Sequence, residues 1–116
     1  MAHEPYTEFR CEVRESEAAA VVEVHGELDL ATGPEAEAAL REQARSKRHV
    51  TLDLRGLQFM DSTGLRMIME LDRLAREDGF GFAVVRGTPA VQRVMNIAGI
   101  DEHLELVDAP AELQEP

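Results

Sequence analysis

Five short stretches of the chain have the apolar patterns that are typical of β-strands. Residues 9–14 and 19–25 are joined by the polar residues 15–17, which predicts a hairpin at the front of the chain. Residues 50–54 form an apolar run interrupted by Asp53, and they predict the central strand. The remaining two strands are predicted at residues 82–85 and 105–107.

Between these strands, apolar residues recur at the spacing of an amphipathic helix. A first helix is predicted to begin at Gly33 and Pro34 and to continue to about residue 45. The longest predicted helix covers residues 62–78 and is stopped by Gly79. Its apolar face is formed by Leu65, Ile68, Leu71 and Ala75.

A third helix is predicted to begin after Thr88, with Pro89 at its first position, and to end at Gly99. Its predicted buried stripe contains Val91, Val94, Met95 and Ala98. A brief helix is predicted at residues 109–114. Because strands separated by helices require right-handed crossovers, the pattern predicts an α/β fold. We expect a small, mostly parallel sheet with an N-terminal antiparallel hairpin and helices packed against it.

The length and charge of the chain limit the classes of protein to consider. We expect one domain over residues 8–115, with residues 1–7 as a flexible N-terminal segment. A net charge of −11 argues against nucleic-acid binding, because phosphates would be repelled. We expect no membrane segment, since no apolar run approaches the roughly 20 residues that span a bilayer. The lone Cys11 and the lack of a secretion-signal pattern predict a cytoplasmic protein.

The junction between the central strand and the longest helix carries Asp61, Ser62, Thr63 and Gly64. The first turn of a helix has amide groups without intrahelical partners and the positive end of the dipole, so Ser62 could carry a phosphate. A simpler interpretation is that Ser62 and Asp61 cap the helix. Gly64 weighs against capping alone, because glycine costs roughly 1 kcal/mol relative to alanine in a helix.

Three motifs along most of the chain carry a family resemblance. Residues 26–29 (Gly-Glu-Leu-Asp) follow an apolar strand, and residues 59–65 (Phe-Met-Asp-Ser-Thr-Gly-Leu) precede the longest helix. Residues 88–95 and 98–100 form the third motif. In this order the motifs resemble the first signature, the phosphorylation loop, and the third helix with its exit in the STAS domain family. Within that family, the chain is similar to the bacterial anti-sigma factor antagonists.

The resemblance implies a partner-switching function. In such proteins, the serine directly after the loop aspartate is phosphorylated by a partner that is both a kinase and an anti-sigma factor, and this assigns phosphorylation to Ser62. The unphosphorylated form would bind that partner and release a sigma factor, and a serine phosphatase would reset the switch. The partner would bind ATP and Mg²⁺, so we expect no cofactor in this chain. We expect a monomer or a weak dimer.

The resemblance also implies that the partner-binding residues surround Ser62. They are expected to be Asp29, Asp61, Thr63, Gly64, Leu65 and Arg66. Asp29 has an alternative role, in which it caps the first helix or holds its loop by hydrogen bonds. Thr63 is a second candidate phosphoacceptor. Arg66 departs from the family pattern, since many members have glycine after the leucine, and this bears on which kinase is accepted.

An enzyme is not expected. A nucleophile elbow needs Gly-x-Ser-x-Gly, and only the second glycine is present around Ser62. The four histidines are scattered, and no pair has the spacing of metal ligands. The alternative function is a non-catalytic scaffold or sensor subunit of a larger signalling assembly, although 4% aromatic residues offer few flat walls for a ligand pocket.

Overall fold

The computed structural model describes residues 8–110, in which five strands form one sheet. The strands are β1 (Arg10–Glu15), β2 (Ala19–Leu28), β3 (His49–Met60), β4 (Gly81–Val85) and β5 (Glu105–Val107). Their order in the sheet follows the chain; β1 pairs antiparallel with β2, and the other neighbours are parallel. This confirms the predicted α/β fold and its N-terminal antiparallel hairpin. The domain bounds stay a prediction, because they extend past residue 110.

Three helices connect the parallel strands: α1 (Gly33–Ala44), α2 (Ser62–Asp78) and α3 (Pro89–Ala98). A proline lies in the first turn of α1 and of α3. Gly79 and Gly99 end α2 and α3 in the left-handed conformation, which glycine adopts at low cost. The brief helix predicted at residues 109–114 lies largely outside the described residues. None of the helices within residues 8–110 has the length and apolar content that a membrane span needs.

Strands β2 and β3 are longer than the sequence pattern predicted. β3 continues from residue 54 to Met60, and β2 continues from residue 25 to Leu28. The sequence pattern did not indicate the continuation of β3, because Arg55, Gly56 and Gln58 interrupt the apolar residues there. Two register shifts in the β2–β3 pairing accommodate the irregular segment and let the two strands end as partners, at Leu28 and Met60.

The hydrophobic core joins all three helices to the sheet. Its members include Val22, Leu52, Leu54, Leu40, Ile68, Leu71, Val91 and Met95. The prediction that Ala98 is buried was wrong: Ala98 is exposed, and after the turn at Gly99 it is Ile100 that enters the core. Cys11 is half-buried and packs against the core, and its burial, together with Glu35 and Glu12, raises the pKa of its thiol.

Asp53 is a buried carboxylate on β3, with only 3% of its surface exposed. Its Oδ2 accepts a hydrogen bond from Nη2 of Arg55 at 2.9 Å, and its Oδ1 accepts from Nε of Arg55 at 3.1 Å. Burial alone would raise the pKa of Asp53, but the hydrogen bonds and charge of Arg55 outweigh burial and lower it. The ionised carboxylate therefore stabilises the folded chain above the ordinary aspartate pKa, and that contribution is lost as the pH falls through the lowered value.

We expect Arg55→Ala to lower the free energy of unfolding by about 1 to 3 kcal/mol at pH 7, because it leaves a buried carboxylate without its guanidinium partner and with only the backbone N–H of residue 55 as a donor. The difference from wild type should shrink as the pH falls below about 4 and Asp53 becomes protonated. Urea unfolding at a series of pH values measures both effects. Arg86→Ala is the matched control, since Arg86 pairs with Asp108, whose side chain is 90% exposed. A pH-independent loss in Arg55→Ala would contradict the assignment.

Candidate functional site: the Ser62 edge of the sheet

The carboxyl-terminal ends of the parallel strands β2 and β3 bring two loops together. We call this end of the sheet, with residues 29–32 and 61–66, the Ser62 edge. Leu28 and Met60 are paired residues, and the backbone N–H of Asp61 donates to the carbonyl of Leu28 at 3.2 Å. Asp29 and Asp61 therefore begin neighbouring loops, which lead into α1 and α2. The sequence motifs at residues 26–29 and 59–65 meet in this way, although residues 30–58 separate them in the chain.

Asp61 is the N-cap of α2, and Ser62 is the first residue of the helix. The carboxylate of Asp61 accepts a hydrogen bond from the backbone N–H of Thr63 at 2.8 Å. The Ser62 side chain is exposed, and its hydroxyl has no hydrogen-bond partner in residues 8–110. Capping, one of the two sequence interpretations for this pair, is performed by Asp61 and leaves the hydroxyl of Ser62 available to solvent.

Asp29 holds the loop between β2 and α1. Its Oδ1 accepts hydrogen bonds from the backbone N–H groups of Ala31 and Thr32, at 3.0 and 3.1 Å. The hydroxyl of Thr32 donates to the carbonyl of Glu27 at 2.7 Å and ties the loop to the end of β2. This geometry supports the loop-holding role for Asp29.

The same loop presents Leu30, which is 77% exposed. Leu30 was not among the binding residues predicted from the sequence. An apolar side chain in an otherwise polar turn was the available signal, but a single exposed leucine is common on protein surfaces.

Thr63 and Gly64 pack the start of α2 against its surroundings. A Cβ atom added at Gly33, in α1, would lie 3.0 Å from the methyl carbon of Thr63, so the two helix starts are in close contact. Gly64 is buried, and a Cβ atom there would lie 2.5 Å from Cγ of Met60. Close packing against Met60 therefore explains why a glycine occupies this position in the first turn of α2. Leu65 is partly buried against the core.

A groove of about 300 Å³ lies between α1 and α2 next to Ser62. It is lined by Leu30, Gly33, Pro34, Glu37, Arg41, Thr63, Arg66, Met67 and Glu70. Arg66 is exposed and also lines a second groove on the other side of α2, together with Met69 and Arg73. The edge thus combines apolar surface at Leu30 with carboxylates at Asp29 and Asp61 and a cation at Arg66.

A metal-like cluster lies elsewhere in the sheet. Ligand atoms of Glu12, Glu23 and His25 lie within 4.8 Å of one another on β1 and β2. Both carboxylates already pair with arginines, Arg10 and Arg14. This cluster is therefore a set of surface ion pairs and is separate from the Ser62 edge.

Residues 11–108 match the sequence model of a family described as Mlab, STAS domain. The chain belongs to the STAS domain family. This STAS domain is 33% identical, over 90 residues, to an anti-sigma F factor antagonist from Paenibacillus polymyxa; the alignment covers 76% of the chain and 77% of that protein.

Solved structures give the same picture of the fold. An anti-sigma factor antagonist from Mycobacterium paratuberculosis is 30% identical to this STAS domain and superimposes with a TM-score of 0.77, covering 88% of this chain and 87% of that one. The anti-sigma factor antagonist SpoIIAA in its unphosphorylated form has a TM-score of 0.73 at 20% identity, with 90% of each chain covered. SpoIIAA from Bacillus in its phosphorylated form has a TM-score of 0.68 at 19% identity, with coverages of 90% and 93%.

Proposed function

We propose that this STAS domain is an anti-sigma factor antagonist whose binding is switched by phosphorylation of Ser62. The unphosphorylated form binds an anti-sigma factor that is also a serine kinase, and this binding releases a sigma factor. A serine phosphatase restores the unphosphorylated form. The observation that carries the proposal is the exposed, unbonded hydroxyl of Ser62 at the first position of α2. The 33% identity to a curated anti-sigma F factor antagonist supports the choice of partner.

The partner-binding surface we propose is the Ser62 edge together with the adjoining groove. Ser62, Leu30 and Arg66 are exposed there, and Thr63 lines the groove. Asp29, Asp61 and Leu65 support this surface, since they cap or pack the two loops. Gly64 is buried, so it contributes through the position of the helix.

Phosphorylation changes this surface more than it changes the fold. A phosphate adds about −1.5 to −2 charges at neutral pH. The exposed hydroxyl breaks no hydrogen bond when it is modified, and the positive end of the α2 dipole favours an anion. In a complex, the same phosphate would have to be desolvated beside the carboxylates of Asp61 and Asp29. The expected result is a domain that stays folded but no longer binds its partner.

The chemistry of phosphoryl transfer belongs to the partner in this proposal. Positioning a nucleotide requires a phosphate cradle and a metal site. The sequence contains no Gly-x-x-x-x-Gly-Lys-[Ser/Thr] loop. ATP, Mg²⁺ and the general base are therefore supplied by the anti-sigma factor kinase, and this chain supplies the acceptor hydroxyl. We further propose that the protein is a cytoplasmic monomer or weak dimer.

Incubation of the purified protein with the candidate anti-sigma factor kinases of its own cell and Mg-ATP tests this function. We expect mass spectrometry to find one phosphate, on Ser62, and we expect Ser62→Ala to abolish the modification while it retains binding. Thr63→Ala is the matched control for the neighbouring hydroxyl and should leave phosphorylation at Ser62 intact. Modification at another residue, with normal regulation of Ser62→Ala, would refute the site.

A further inference from the structure

Arg66 is one of three cations that have no ion-pair partner within residues 8–110. All 12 lysines and arginines lie within residues 8–110, and nine of them form ion pairs there. The three that do not are Arg48, Arg66 and Arg93. In a chain with a net charge of −11, a cation left without a carboxylate needs a local explanation.

The explanation lies in the spacing along α2. Glu70, one turn after Arg66, would be its natural partner, but Arg73 pairs with Glu70 and Arg41 lies 3.9 Å from the same carboxylate. The residue one turn before Arg66 is Ser62, which carries no charge. Arg66 therefore lies between the carboxylate of Glu70, which already has cationic partners, and the uncharged hydroxyl of Ser62.

We infer that Arg66 binds the phosphate of phosphorylated Ser62. Residues four apart on a helix have Cβ atoms about 5 to 6 Å apart, within the reach of an arginine. Both side chains are exposed, so the pair can form without displacing any contact. An anion placed N-terminal to a cation at this spacing is the favoured orientation, and guanidinium matches phosphate with two parallel hydrogen bonds. The inference rests on the proposed function, because it assumes that Ser62 is the phosphorylated residue.

This pairing adds a second consequence to phosphorylation. In the unmodified protein, the guanidinium of Arg66 lines grooves on both sides of α2 and is available to an acidic group of the partner. Once it binds the phosphate, that contact is lost. Phosphorylation would thus remove a positive group from the binding surface at the same time as it adds a negative one. Arg66 is a specificity-determining residue in this scheme.

Phosphorus NMR of the protein with phosphoserine incorporated at position 62 during synthesis tests the inference directly. The second pKa of the phosphate should be about 0.3 to 1 pH unit lower in the otherwise wild-type chain than in the Arg66→Gln variant, because the cation favours the dianion. Asp61 and Asp29 raise this pKa in both proteins and cancel in the comparison. The difference should diminish when the salt concentration is raised from about 0.05 M to about 0.5 M.

Arg76→Gln is the matched control, since it removes an arginine of the same helix that pairs with Asp72 and leaves Glu70 paired with Arg73. Equal phosphate pKa values in wild type and Arg66→Gln would overturn the inference, as would an equal shift in Arg76→Gln. The phosphoserine is installed without any kinase, so the outcome is independent of the proposed function. Failure of the kinase to modify Ser62 would reject the proposed function and leave this measurement unchanged.

Discussion

Ser62→Asp should weaken the complex with the anti-sigma factor kinase by at least about 100-fold. Driving a two-state switch from 99% bound to 1% bound needs a change of about 10⁴-fold in affinity. An aspartate brings one negative charge, about half that of a phosphate. We therefore expect about half of the free energy of binding that a 10⁴-fold change represents, which is a factor of about 100 in affinity. Titration calorimetry with the purified partner measures the effect.

The domain itself should tolerate this substitution. Ser62 is exposed at the first position of α2, where the helix dipole favours an anion, so the thermal midpoint should stay within a few degrees of wild type. Ser46→Asp is the charge-matched control, because it adds the same charge after the end of α1, at the opposite end of β3 from Ser62. Unfolding of Ser62→Asp would show that Ser62 is chiefly structural, and unchanged affinity would reject the switch.

The main elements of this fold could be predicted from sequence because their limits are marked by residues with special backbone chemistry. Asp61 caps α2 and Gly79 ends it, and Thr88 caps α3 before Pro89. These local rules do not depend on tertiary contacts. The order of strands and helices then fixed the mostly parallel sheet.

The far ends of β2 and β3 could not be predicted in this way. Arg55 and Gly56 interrupt the apolar pattern, and the chain stays extended there because β2 supplies pairing partners across two register shifts. Ala98 also has the spacing of a buried residue, but it is the last residue of α3 and is exposed. The pairing that keeps the first segment extended is made with residues distant in the sequence, whereas at the end of α3 the turn at Gly99 brings Ile100 into the core instead of Ala98.

The geometry around Ser62 could be predicted from the sequence only in part. Asp61, Ser62 and Thr63 were recognised from one contiguous motif, and the structure places Asp29 in the neighbouring loop. Leu30 and the α1 side of the groove were missed, because their proximity to Ser62 follows from the packing of α1 against α2. The packing reason for Gly64 was equally hidden, since it depends on the orientation of the Met60 side chain.

Gly64→Ala should lower the free energy of unfolding by about 1 to 2 kcal/mol, although alanine is the better helix former. The added methyl would lie 2.5 Å from Cγ of Met60 and 3.0 Å from Cδ2 of Leu28, and both side chains are almost completely buried. Overpacking typically costs about 1 to 3 kcal/mol, and contacts this short place the cost in the upper part of that range, above the gain of roughly 1 kcal/mol in helix propensity. The thermal midpoint should fall by about 4 to 8 °C.

A double-mutant cycle with Met60→Ala separates this packing role from a direct role of Gly64 in partner binding. Met60→Ala alone opens a cavity and destabilises the domain, but it also removes the atoms nearest to the new methyl group. In that background Gly64→Ala should therefore be close to neutral, or stabilising through its helix propensity. Full additivity of the two losses would contradict the packing explanation. A Gly64→Ala protein that keeps its wild-type stability but loses the partner would instead make Gly64 a contact residue, reached by the partner through the backbone of the first turn.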